Sequence, residues 1–84
     1  MYEIVYKKKA VKALLKLPKE IAGRFRCAFN SIASGDDADL DIKQLEGLDG
    51  FRLRIGSYRA IYSLDHGKLL VTIFNVGSRG DIYK

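Results

Sequence analysis

Phe51-Arg52-Leu53-Arg54-Ile55-Gly56-Ser57-Tyr58-Arg59-Ala60-Ile61-Tyr62 is the stretch on which the fold turns. Apolar and polar residues alternate on both sides of Gly56-Ser57, and alternation with period two marks half-buried strands. Glycine at the first of two turn positions suits a type II′ hairpin. With that turn, Ile55 faces Tyr58, Arg54 faces Arg59, and Arg52 faces Ile61. Directly opposed residues share a face, so Arg52, Arg54 and Arg59 project from one side. Phe51, Leu53, Ile55, Ala60 and Tyr62 project from the other, which is therefore the core side. Tyr58 belongs there too, near an edge.

Downstream, Lys68–Val76 reads as a further strand, joined to Tyr58–Asp65 by His66-Gly67. Carrying the register through that turn places Phe74 beside Arg59 on the arginine side. The strand then leaves the sheet near Gly56-Ser57, so Arg79 is expected beside Arg54 and Arg59. Asp81-Ile82-Tyr83-Lys84 is a short tail. Upstream, residues 35–50 are rich in Asp and Gly and read as a loop, with a turn at Lys43–Leu45. Tyr2–Tyr6 alternates and forms a first strand pairing at one edge of the meander.

Between them the period changes. Ala10, Val11, Leu14 and Leu15 recur at helical spacing, and Pro18 ends that helix while opening the next. Ile21, Phe25, Ala28, Phe29 and Ile32 form the apolar stripe of the second helix, which stops at Ser34-Gly35-Asp36-Asp37. The order β-α-α-β-β-β implies an α+β domain, an antiparallel sheet with an N-terminal helical hairpin packed on one face. At 84 residues, positions 1–84 make one domain.

Composition narrows the classes. With 48% hydrophobic and 30% charged residues, the chain is a folded globule rather than a disordered segment. No apolar run approaches the roughly 20 residues of a membrane helix, and Tyr2–Tyr6 follows the initial Met with no signal-peptide architecture. The single cysteine, Cys27, cannot form an internal disulfide, and no His/Cys set suits zinc. A cytoplasmic protein without metal or cofactor is expected. The net charge of +5 is divided unevenly: +6 over residues 1–30, −5 over residues 31–50 and +4 over residues 51–84. Two basic blocks around an acidic loop point to a polyanionic partner, most simply nucleic acid.

Arginines crowded on one sheet face repel, each opposed like pair costing roughly 0.2–1 kcal/mol. An anion relieves that cost, and the guanidinium fork grips phosphate oxygens bidentately. Phe74 adds a surface on which an unpaired base can stack. The alternative is internal: the acidic loop Asp36–Asp41 folds over the face and neutralises it. His66 falls at a turn at the far end of the sheet and reads as solvated. Cys27, beside the apolar stripe of its helix, reads as packing material.

The run Leu45-Glu46-Gly47-Leu48-Asp49-Gly50, continuing through Phe51–Tyr62, resembles the signature stretch of RelE/ParE-type toxins. So do the ending Val76-Gly77-Ser78-Arg79-Gly80-Asp81-Ile82-Tyr83 and Leu17-Pro18-Lys19-Glu20-Ile21 after the lysine-rich first helix. The resemblance spans essentially the whole chain. It implies the toxin of a type II toxin–antitoxin system, whose ribonuclease members bind messenger RNA in the ribosomal A site and cleave it by attack of a 2′-hydroxyl on the adjacent phosphate. By position, Arg52 and Arg54 match the paired basic residues that hold RNA. Arg59, Arg79 and Tyr83 match the catalytic set, with Tyr83 as base, Arg59 clamping the phosphate and Arg79 at the leaving oxygen. Ser78 stands where many members carry His or Lys, and a hydroxyl is a poor acid. The implied partners are the ribosome, messenger RNA and a cognate antitoxin in a hetero-oligomer, with no membrane. ParE-type members instead poison DNA gyrase without cutting RNA, and that alternative remains open on sequence, as does a plain nucleic-acid-binding module.

Overall fold

The elements run β1 (Glu3–Tyr6), α1 (Lys8–Lys16), α2 (Lys19–Ala33), β2 (Asp41–Gln44), β3 (Phe51–Ile55), β4 (Tyr58–Asp65) and β5 (Leu70–Ser78). They come from a computed structural model that describes residues 1–45 and 50–78. The expected α+β architecture holds, with both helices against one face of the sheet. Its strand order is β1-β5-β4-β3-β2.

Three features depart from the sequence reading. First, the acidic segment is not all loop: Asp41–Gln44 is a fifth strand pairing antiparallel with β3, where a turn was expected at Lys43–Leu45. Second, the sheet is mixed, because β1 pairs parallel with β5, Glu3 opposite Leu70 and Tyr6 opposite Ile73. A parallel neighbour cannot be joined by a tight turn, and here the chain between β1 and β5 runs through both helices to the opposite edge of the sheet and back through β2, β3 and β4. Third, the second hairpin is longer than His66-Gly67. Asp65 pairs with Leu70 rather than Lys68, and Leu69 takes a left-handed φ of 53°. The Lys68 N–H donates to Asp65 Oδ1 at 3.1 Å inside that turn. As a result β5 starts and ends two residues later than expected.

The first hairpin forms as read. Ile55 opposes Tyr58, Arg54 opposes Arg59 and Arg52 opposes Ile61. Gly56 has φ 60° and Ser57 is not in positive φ, as a type II′ turn requires. Gly50 answers to a different constraint. A Cβ there would lie 3.2 Å from the Tyr62 carbonyl oxygen, so only a bare α-carbon fits easily.

Each helix buries one stripe. In α2, Phe25, Ala28, Phe29 and Ile32 are buried, and the helix stops where Gly35, at φ 78°, donates its N–H to the Ile32 carbonyl at 3.1 Å. Cys27 lies exposed on this helix and contributes nothing to the core, contrary to its sequence reading. In α1 the inward set is Ala10, Ala13 and Leu14, whereas Val11 and Leu15 face solvent. Phe29 sits at the centre of the core, its ring 6.0 Å from those of Phe25 and Tyr6 and 6.5 Å from that of Tyr62. Tyr62 is itself buried and stacks on Phe51 at 5.4 Å.

Two predictions follow from this packing. Phe29→Ala removes a fully buried ring and is expected to cost about 3–5 kcal/mol, measured as a fall in the urea midpoint. The second concerns alkali. Burial, reinforced by Asp37, holds the Tyr62 phenol above its ordinary value near 10, and burial raises Tyr6 despite the opposing pull of Arg26. The folded state thus keeps its phenol protons longer than the unfolded chain. Stability is unaffected below about pH 10 and declines as pH rises past it. Tyr62→Phe is expected to flatten that decline in urea titrations at neutral and alkaline pH.

Candidate nucleic-acid interface

The sheet face opposite the helices carries two rows of side chains set by strand register. One row runs Lys43, Arg52, Ile61, Asn75, and the next runs Asp41, Arg54, Arg59, Gly77. Opposed residues lie about 4.5–5.5 Å apart at Cβ, and successive rows about 7 Å apart. Arg52, Arg54 and Arg59 therefore form the tight group expected of them.

Their environments differ. Arg54 pairs through Nε with Asp41 Oδ2 at 3.2 Å, both side chains about half exposed. The internal neutralisation considered for the acidic segment is thus real but local, one carboxylate on one arginine. Arg59 is half-buried and has no ion-pair partner among the described residues. Arg52 is half-buried too, and its Nε–H is shielded from solvent with no acceptor among the described residues. A shielded donor left unmet costs about 1–3 kcal/mol, more when charged. Being closed to water it is closed to an external phosphate as well, so the unmet Nε–H is a cost the fold bears and not itself a ligand site.

Phe74 is on this face and 40% exposed, open enough to stack a base. It does not lie beside Arg59, however. The longer second turn moves β5 by two residues, and a bulge at Ile61/Tyr62 moves it by one more. Gly77 now opposes Arg59, and Phe74 stands roughly 10 Å further along β5, one residue past Asn75 of the Arg52 row. At the bulge the Val76 N–H donates to Asn75 Oδ1 at 2.9 Å, so the buried Asn75 is part of the irregularity. Arg79 and Tyr83 lie outside the described residues. Ser78, the last described position, opposes Tyr58 at the Gly56-Ser57 end of the sheet.

Sequence reasoning missed β2 and with it Asp41 and Lys43. Ile42, packed against the core between polar neighbours, was the only signal. Away from this face, His66 is exposed in its turn, where the Tyr2 hydroxyl hydrogen-bonds to Nδ1 and the rings meet edge to face. A cleft of about 470 Å³ opens between α2 and the β2–β3 edge, reaching Arg24 and Arg54. Among the described residues no helix is long and apolar enough to cross a membrane.

A small α+β domain with a basic, helix-free sheet face is the class these features define, and comparison with known proteins places it. The family model for the ParE toxin of type II toxin–antitoxin systems, parDE, matches residues 4–83. The chain belongs to the RelE/ParE superfamily of type II toxins. Among solved structures it is similar to a chain of the archaeal RelE–RelB complex from Pyrococcus horikoshii, with 34% identity, a TM-score of 0.78, and coverage of 95% of this chain and 97% of that one. It is also similar to a chain of the RelB–RelE antitoxin–toxin complex from Methanococcus jannaschii, with 24% identity, a TM-score of 0.79 and 94% coverage of each. The isolated RelE toxin of E. coli shares the fold at 19% identity, with a TM-score of 0.78 over 99% of this chain and 92% of that one. No curated protein matches.

The crowding of Arg54 and Arg59 has a measurable consequence. Arg59→Ala is expected to leave the fold intact or to stabilise it by up to about 1 kcal/mol at low ionic strength. The difference should shrink as salt screens the pair, which urea unfolding of both proteins at low and high salt will show.

Proposed function

We propose that this toxin is a ribosome-dependent endoribonuclease that cuts messenger RNA in the A site. The observation that carries the proposal is the arginine group itself: three guanidinium groups on one helix-free face, two of them without an acidic partner among the described residues. Lysine could supply charge there, but the planar fork is the group that matches phosphate oxygens in pairs.

In this mechanism Arg52 and Arg54 hold the phosphate backbone, and Phe74 offers its ring to a base beyond the Arg52 row, roughly 10 Å along the sheet from Arg59. Arg59 clamps the scissile phosphate. Tyr83 accepts the proton of the 2′-hydroxyl, nearby guanidinium groups favouring its phenolate. The 2′-oxygen then bonds to phosphorus, the bond from phosphorus to the 5′-oxygen breaks, and the products are a 2′,3′-cyclic phosphate and a 5′-hydroxyl. Arg79 stabilises charge on the departing oxygen, and the proton that oxygen requires comes from water, since Ser78 is a poor acid. The parts given to Arg79 and Tyr83 rest on sequence resemblance alone. Removing one charge-stabilising donor is expected to lower kcat about 10²–10³-fold, and removing the base about 10²–10⁴-fold.

A cognate antitoxin is the proposed physiological partner, supported by similarity to chains crystallised as RelE–RelB complexes. An antitoxin tail lying over Arg52, Arg54 and Arg59 would occlude the RNA directly and give a toxin–antitoxin hetero-oligomer. The matching family model, that of ParE, favours a second reading, inhibition of DNA gyrase without nuclease activity. Mapping messenger RNA 5′ ends after brief expression separates the two. Cuts within codons, lost in Arg59→Ala, Arg79→Ala and Tyr83→Phe, are the expected result. Linear DNA without RNA cuts, with toxicity retained in Tyr83→Phe, would establish the gyrase reading instead.

A further inference from the structure

Asp41 and Lys43 stand at the outer ends of the two cross-strand rows, on the strand the sequence concealed. Lys43 opposes Arg52 and Asp41 opposes Arg54. Lys43 is exposed and has no acidic partner among the described residues, so it extends the basic face by one cation beyond the arginine group. Asp41 does the reverse. Its carboxylate lies on Arg54 Nε at 3.2 Å, and Nε–H is one of the donors on the guanidinium fork that a phosphate would engage. Carboxylate and phosphate cannot both have it. With both partners about half exposed, the ion pair is of the weak, readily exchanged kind.

We infer that β2 is part of the RNA-binding face and carries two opposed roles: Lys43 is a further contact to the phosphodiester backbone, and Asp41 is a displaceable counter-ion that a backbone phosphate must replace on Arg54. The inference rests on the nuclease reading and deepens it. Arg52 and Arg59, without an acidic partner among the described residues, are open to phosphate directly, whereas Arg54 is available only by exchange. The strand at the sheet edge thus sets both the reach of the face and the strength with which it holds RNA.

Binding of a single-stranded 2′-O-methyl RNA oligonucleotide, which lacks the attacking hydroxyl, tests this with the full chain across a series of salt concentrations. Asp41→Asn is expected to tighten binding about two- to fivefold at low salt, the worth of an exposed pair no longer to be broken. Lys43→Ala is expected to weaken binding and to reduce the slope of log affinity against log salt by about 0.7. Lys12→Ala, on α1 across the molecule, removes the same charge and should leave the slope unchanged. Weaker binding by Asp41→Asn would overturn the inference, because the carboxylate would then be orienting Arg54 for RNA. So would a Lys43→Ala slope equal to that of the unaltered protein. If Arg52→Ala weakens binding while both β2 variants have no effect, this inference alone falls. If the unaltered chain does not bind the oligonucleotide, or binds it as well with Arg52→Ala, the inference falls too, while the nuclease reading stands or falls by the mapping of messenger RNA 5′ ends.

Discussion

Side chains on a strand alternate with a period of two, so a slip of one residue exchanges the two faces of a sheet completely. In the β3–β4 hairpin such a slip would drive Arg52, Arg54 and Arg59 into the apolar layer and lift Leu53, Ile55, Ala60 and Tyr62 into water. Two independent devices prevent it. The reversal at Gly56, with its φ of 60°, fixes where the strands turn, and burial of Leu53, Ala60 and Tyr62 under α2 fixes which residues face inward. Because both demand one register, the polar face is determined by the requirements of the apolar one. The candidate site is the outward image of the core.

That coupling explains why this part of the molecule was legible in the sequence. The pairing of Arg54 with Arg59 needs only a two-residue turn and an alternating pattern, and the structure reproduces it pair by pair. Legibility decays where the pattern is shorter or its period breaks. β2 has four residues, of which only Ile42 is apolar, too little to distinguish a strand from an acidic loop. The second turn accommodates Leu69 in left-handed backbone, a conformation a leucine does not announce. In β5 the apolar positions Val71, Ile73 and Val76 are not evenly spaced, so the bulge had a signal, but one that reads equally as a strand ending early. Those misreadings displaced Phe74 from Arg59 while leaving the arginines together. In α1, four residues at helical spacing overstated the buried stripe, since so short a helix can bury only part of its surface and leaves Leu15 in solvent.

Electrostatically the face is neither bare nor neutralised. Asp41 meets one arginine and leaves two others with no acidic partner among the described residues. The charge excess at the two ends of the chain is thus only partly offset by the acidic middle, and where the offset falls is decided by strand pairing rather than by composition. Membership of the RelE/ParE superfamily accounts for the scaffold. The distribution of charge over that scaffold belongs to this chain's own residues.

The irregularity in β5 has an implication for how the face tolerates change. Tyr62 opposes Ile73 and Ile61 opposes Asn75, so Phe74 is supernumerary to the ladder: the strand contains it without any partner being assigned to it. Excising that single residue would join two already registered halves and leave every existing pair as it is. Almost anywhere else in the sheet, loss of one residue would invert a strand. Phe74 is consequently a position the architecture could dispense with, an exposed ring that the ladder itself does not require.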